Sequence, residues 1–154
     1  VSRLARTVSI KSADIHMMAA KDGRKDSHEC AAEYEAELGE THFDIMLLGV
    51  GEDGHTASIF PNHPSFDPTT RSVIGVTDAP KAPADRITLT IPALNRSDET
   101  WVIATGAAKA DAVARALAGD LSLPAAHVHG AVATLWYLDD EAAGGLPAQY
   151  VCPF

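Results

Sequence analysis

The sequence predicts an α/β fold, a Rossmann-like parallel sheet flanked by helices, and three observations carry that reading. Residues 43–48 form a short, nearly unbroken apolar run that empties into a glycine-rich loop. Residues 101–106 repeat the arrangement and lead into an alanine-rich stretch of helical character. Strand-like and helix-like segments then alternate along the chain, which calls for crossover connections and parallel pairing. Short apolar runs bounded by glycine suit strands buried on both faces of such a sheet.

The 154 residues suffice for a single domain with a real core. Apolar residues make up 46% of the chain but aromatics only 6%, so that core has to be aliphatic and alanine-rich. The net charge of −9 argues against nucleic acid or an anionic membrane as a general partner. An acidic chain that takes an anionic ligand must gather its few cations locally, which makes each well-placed Lys or Arg informative. Cys30 and Cys152 lie far apart and read as two reduced thiols of a cytoplasmic protein.

Residues 1–10 suit the end of a helix, 12–18 a short extended segment and 21–26 a polar turn. Residues 27–38 are expected to be helical, with Ser27 as the cap and Gly39 as the stop. The apolar run 43–48 is expected at the centre of the sheet. A short strand follows at 72–76, then an irregular stretch broken by Pro80 and Pro83. Residues 86–91 alternate and are β-branched, hence a strand, and Pro92 opens a helical turn. The strand at 101–106 leads into a helix over 107–117, and 133–138 form the last strand.

The most informative stretch is the loop after the first strong strand. Its three glycines, Gly49, Gly51 and Gly54, replace side-chain bulk with bare backbone, and His55 follows at once with Asp53 two residues before it. Such a loop turns sharply and brings its amides near a ligand. It presents a proton-transfer residue at the carboxyl edge of a sheet, where open α/β folds build their sites. On spacing alone, a tight turn carrying a surface histidine fits equally well. His63 reads as a loop histidine facing solvent or lining the pocket. His127 and His129 could share a strand face, but no third ligand is evident, so no metal site is expected.

A second constellation offers cations. Gly106 precedes a helix whose first N–H groups would be free, and Lys109 lies in the first turn. Dipole, donors and ammonium together favour an anion there. A solvated surface lysine stands level with that reading on physical grounds. Arg86 heads a strand after the proline-rich loop and could aim its guanidinium at a phosphate or carboxylate, or be an ordinary edge-strand arginine.

The string Gly49-Val50-Gly51-Glu52-Asp53-Gly54-His55-Thr56-Ala57-Ser58-Ile59-Phe60-Pro61 closely resembles the signature of the 6-phosphogluconolactonases, in an α/β group that also holds the glucosamine-6-phosphate deaminases. Residues 83–90 and 106–110 add to the likeness. The resemblance implies an isomerase/CoA-transferase-like three-layer sandwich that hydrolyses 6-phospho-D-glucono-1,5-lactone in the pentose phosphate pathway, without metal or organic cofactor. It gives His55 the role of general base, with Asp53 as an orienting carboxylate. Lys109 and Arg86 would bind the phosphate, and Gly49, Gly51 and Gly54 would offer backbone to the substrate. Attack through Ser58 is the less favoured route, since it lacks a nucleophile elbow.

The resemblance also implies that the front of the family's fold has no counterpart in this chain, which opens Val1-Ser2-Arg3. An apolar sheet face and a sheet edge would then stand open. Two rivals are a deaminase/isomerase of the glucosamine-6-phosphate type and a non-catalytic sugar-phosphate sensor. The first wants a further carboxylate soon after the histidine, where this chain has residues 60–64. The second wants a DNA-binding module, and no such pattern is visible.

Overall fold

The structure, a computed structural model, describes residues 6–18 and 25–150. Residues 21–24 of the expected polar turn and 1–5 of the expected helix end fall outside those residues.

Three strands form a parallel sheet in the order β1-β4-β5: β1 Phe43–Gly49, β4 Ser97–Ala104 and β5 Ala133–Leu138. The register sets Leu47 opposite Trp101 and Trp101 opposite Leu135. Because side chains alternate, this register sorts the sheet into two unlike faces. One face carries Met46, Leu48 and Val102, all buried, and α3 (Ala110–Leu117) supplies Ala112, Val113 and Ala116 to the same core. The other face carries Ile45, Leu47, Ile103, Leu135 and Tyr137, which are 44%, 61%, 47%, 39% and 46% exposed. The apolar run 43–48 was expected to be central and buried on both sides. It is instead an edge strand, buried on one.

The second correction concerns pairing. β2 (Val73–Val76) and β3 (Arg86–Leu89) form a separate antiparallel two-stranded sheet. The connection over 77–85 is shorter than the dozen or so residues that a parallel crossover needs. Helix α1 (Ser27–Leu38) packs on this hairpin through Ala31, Leu38 and Val73. Glu35 ties the two together, accepting from Arg71 Nε at 2.5 Å and from the backbone N–H of Ser72 at 2.5 Å. The cap of α1 is Asp26 rather than Ser27. The Asp26 side chain accepts from the N–H groups of His28 and Glu29 while Glu29 bonds back to its own N–H, a complete capping box.

Smaller differences have local causes. β4 begins at Ser97, four residues before the apolar stretch, because its ladder with β1 starts at the Phe43–Ser97 pair, and the buried hydroxyls of Ser97 and Thr100 lie 3.1 Å apart. β3 stops at Leu89, and Pro92 sits in the first turn of the short helix α2 (Ile91–Leu94). The expected helix over 107–117 starts as a 3-10 turn, Ala107–Lys109, before α3. Ser12–Asp14 is another 3-10 turn rather than extended chain. No helix among the described residues is long and apolar enough to cross a membrane.

Candidate active site

β1 leaves the sheet at Gly49, and the loop folds straight back on the strand. Thr56, fully buried, donates its hydroxyl to the Gly49 carbonyl at 2.9 Å. The Gly51 N–H donates to the His55 carbonyl at 2.8 Å and the Gly54 N–H to the Gly51 carbonyl at 3.0 Å. Ile59 and Phe60 then plunge into the core with no exposure. Buried Thr88 of β3 accepts the Ser58 N–H at 3.1 Å, so the hairpin braces the loop from the side.

That folding brings two of the expected residues together. His55 Nδ1 lies 2.5 Å from Asp53 Oδ1, and the imidazole is 17% exposed. A carboxylate only accepts, so this bond assigns the proton to Nδ1 and leaves the Nε2 lone pair for other work. Burial pushes the Asp53 carboxyl up, but the hydrogen bond and charge of His55, with backbone donors, outweigh it and hold the carboxyl below its usual range. The imidazole rests against the Phe60 ring, centroid to centroid 4.7 Å.

The glycines have structural work. A Cβ on Gly51 would lie 1.9 Å from His55 Nδ1 and 2.5 Å from Asp53 Oδ1, so the bare Cα is what admits the pair. Gly54 has φ +80°, and a Cβ there would meet Leu123 at 2.8 Å. The amides of Gly51 and Gly54, expected to face the substrate, are taken up inside the turn itself.

Lys109 reaches the same loop from the end of β4, its Nζ 3.9 Å from Glu52 Oε1 and its side chain 25% exposed. The N–H groups of Gly106 and Ala107, before α3, are not free, contrary to expectation. Asp139 accepts from Gly106 with both carboxylate oxygens at 3.0 Å, and Glu141 accepts from Ala107 at 3.2 Å. An anion bound here would therefore rely on the Lys109 ammonium rather than on those amides.

Arg86 lies beside the site but is turned towards its own loop. Its Nε donates to the Pro83 carbonyl at 2.8 Å, and its Nη2 donates to the carbonyls of Lys81 and Ala82 at 2.5 and 3.0 Å. A phosphate would have to be met from Nη1. The residue that sequence reasoning missed is Lys81, whose Nζ is 3.6 Å from Asp53 Oδ1. Its setting among prolines marked a stiff loop, but nothing in the sequence said what the loop faces.

His63 has a structural task. Its Nδ1 accepts the Ser65 N–H at 3.1 Å, capping the 3-10 turn Pro64–Phe66, and its Nε2 donates to the Thr77 carbonyl at 3.1 Å. It also lines a cleft of about 520 Å³ between α1 and β2, with His28, Asp67 and Arg71. That cleft contains none of the His55–Asp53 machinery, and its arginine is paired with Glu35. Size alone does not make it the site. Among the described residues no three His, Cys, Asp or Glu side chains converge as a metal site.

A family model described as glucosamine-6-phosphate isomerases/6-phosphogluconolactonase matches residues 1–136. The curated 6-phosphogluconolactonase of Streptomyces coelicolor is 44% identical over 97% of this chain and 63% of its own length. That of Mycobacterium tuberculosis is 44% identical over 94% of this chain and 64% of its own. The crystal structure of 6-phosphogluconolactonase from Thermotoga maritima matches with a TM-score of 0.73 at 28% identity, over 87% of this chain and 60% of that one. The chain thus spans a little under two thirds of the length of the curated relatives it matches.

Proposed function

The chain belongs to the glucosamine-6-phosphate isomerase/6-phosphogluconolactonase family, and from that premise we propose that it hydrolyses 6-phospho-D-glucono-1,5-lactone to 6-phosphogluconate in the cytoplasm, as a step of the pentose phosphate pathway. The observation that carries this is the His55–Asp53 pair at 2.5 Å, set at the carboxyl end of a parallel strand in a loop whose glycine makes room for it.

A lactone is an activated ester, so the chemistry needs little beyond a base and an acid in one place. With its proton on Nδ1 held by Asp53, His55 takes a proton from water at Nε2 as the water oxygen bonds to the lactone carbonyl carbon. The tetrahedral intermediate collapses by breaking the bond to the ring oxygen, and the imidazolium returns its proton to that oxygen. One group thus serves both steps, an aid of typically ~10²–10⁴-fold. Lys109 is the proposed phosphate ligand, with Arg86 adding charge and the two donors of Nη1. No metal or organic cofactor enters this scheme.

We also propose that the catalytic unit includes a counterpart of the third of the relatives' length that this chain does not match, and that this counterpart covers the apolar face of Ile45, Leu47, Ile103, Leu135 and Tyr137. Both faces of a parallel sheet are ordinarily covered. Residues 1–154 alone should then aggregate or unfold without cooperativity. A monomeric, cooperatively unfolding chain overturns this.

The function is tested in protein that carries the covering counterpart, by coupled assay on freshly made lactone, with glucosamine 6-phosphate as the competing substrate. Hydrolysis well above the spontaneous rate supports the proposal. Deamination of glucosamine 6-phosphate, or binding of sugar phosphates without turnover, replaces it.

A further inference from the structure

The loop between β2 and β3 meets the reactive pair through one ammonium, and a guanidinium holds that loop in shape. Arg86 draws together three successive carbonyls, those of Lys81, Ala82 and Pro83. The guanidinium carbon also sits 5.4 Å from the centroid of the Phe60 ring, against which the His55 imidazole packs. Phe60 is fully buried, so clamp and imidazole are registered on one immobile surface. The result is that Asp53 Oδ1 receives His55 Nδ1 at 2.5 Å and has the Lys81 ammonium at 3.6 Å.

We propose that Lys81, aimed by Arg86, is a positioning residue of this site that fixes the Asp53 carboxylate and lowers the proton affinity of the Asp53–His55 pair. The pair's other charged neighbours act elsewhere. Arg86 approaches from β3 over Phe60, Lys109 approaches from the start of α3 and answers Glu52 of the same loop, and His63 meets Phe60 edge-on with both ring nitrogens engaged. Lys81 is the cation placed on Asp53 itself. A carboxylate on Nδ1 strengthens the imidazole's hold on its proton and so makes the imidazolium a weaker acid towards the leaving oxygen. An ammonium on the same oxygen trims that pull while leaving the carboxylate to orient the ring. Lys81 is 45% exposed, so solvent screens its charge and the effect is a tuning rather than a switch.

The kinetic arm of the test rests on the lactonase reading, and the spectroscopic arm does not. In substrate-free protein that carries the counterpart covering the apolar sheet face, the Asp53 carboxyl carbon is titrated by NMR in the wild type, Lys81→Met, Lys81→Arg and Arg86→Gln, with Lys81→Gln as a second neutral variant should the methionine impair folding. Removing a cation raises the proton affinity of its neighbours. Lys81→Met should therefore move the titration, and the acid limb of the pH–rate profile, to higher pH by about 0.5–1 unit. Lys81→Arg should restore both. Arg86→Gln should give the same shift as Lys81→Met, and the double variant no more than either. KM should change less than about threefold in Lys81→Met, because the proposal places Lys81 on Asp53 and not on the substrate. An unmoved titration overturns the proposal, and so does a loss confined to KM, which would make Lys81 a substrate ligand. A wild type that hydrolyses no lactone overturns the lactonase reading and leaves the titration to decide Lys81.

Discussion

β1 and β4 run side by side and leave the sheet at the same edge, each through a glycine, yet their turns obtain their carboxylates in opposite ways. The β1 turn carries its own: Asp53 binds a histidine two residues away. The β4 turn borrows: the N–H groups of Gly106 and Ala107 are satisfied by Asp139 and Glu141, more than thirty residues downstream and beyond β5. In the first turn the acid faces an imidazole, and the backbone amides close on the loop itself. In the second the acids serve the backbone, and the one side chain offered to the site is Lys109. A carboxylate beside an imidazole orients chemistry, whereas a carboxylate on peptide N–H groups holds architecture.

The largest effects should come from the first turn. His55→Ala should lower lactone turnover by about a hundredfold or more with little change in folding. Near wild-type turnover above the spontaneous rate would remove His55 from the mechanism. Gly51→Ala asks the same question from the backbone. Its new methyl would overlap His55 Nδ1, so turnover should fall towards that of His55→Ala although no reactive group is deleted. Asp53→Asn should cost about tenfold or more in turnover, since an amide can present a donor to Nδ1 and select the wrong tautomer. Its effect on thermal stability near neutral pH should be small. The depressed Asp53 pKa stabilises the fold above the unfolded carboxyl value of about 4 and is lost as pH falls below it. The wild type's advantage over Asp53→Asn should therefore shrink in acid.

An intermediate effect belongs to the lysine of the second turn. Lys109→Met should raise KM for the phosphorylated lactone about ten- to a hundredfold, the value of one charge-assisted contact. Unphosphorylated gluconolactone should be handled as by the wild type. Equal losses on both substrates would show that Lys109 does something other than hold phosphate.

The contrast between the turns also explains what could be read in advance. Local relations were legible: the strand–glycine–histidine order at 43–55, the spacing of Asp53 and His55, the helix at 27–38 and the strand at 133–138. Relations that depend on the fold closing were not. The apolar run 43–48 could not say that Met46 and Leu48, and in part Phe43, would find a core while Ile45 and Leu47 faced outward. The β-branched alternation at 86–91 gave a strand but not its partner, and only the brevity of 77–85 hinted that β2 and β3 would pair antiparallel. Gly106 looked like an anion-binding helix start because its true partner, Asp139, follows a different strand. That most of the Arg86 guanidinium would be spent on its own loop was hidden for a related reason. A sequence shows a guanidinium but not the carbonyls of the loop just before it folding back to meet it.

The smallest and most discriminating effect is expected at Asp139. Its carboxylate takes the Gly106 N–H on both oxygens at 3.0 Å and the Ala142 N–H at 2.8 Å, so it joins the turn after β4 to the turn after β5. Gly106 has φ +89°, a conformation that needs such support to stay fixed. Asp139→Ala leaves the exposed Gly106 amide to water and the amide of buried Ala142 without its acceptor, and the cost should be about 1–2 kcal/mol. In a domain of this size that is a fall in melting temperature of about 2–6 °C. Turnover per folded molecule should stay within about threefold, and KM should rise modestly as Lys109 loses its fixed base. Asp53→Asn should show the reverse pattern, a stable protein with slow turnover. If Asp139→Ala instead abolished turnover without lowering the melting temperature, the second turn's carboxylate would belong to the chemistry, and the division between the two turns would fail.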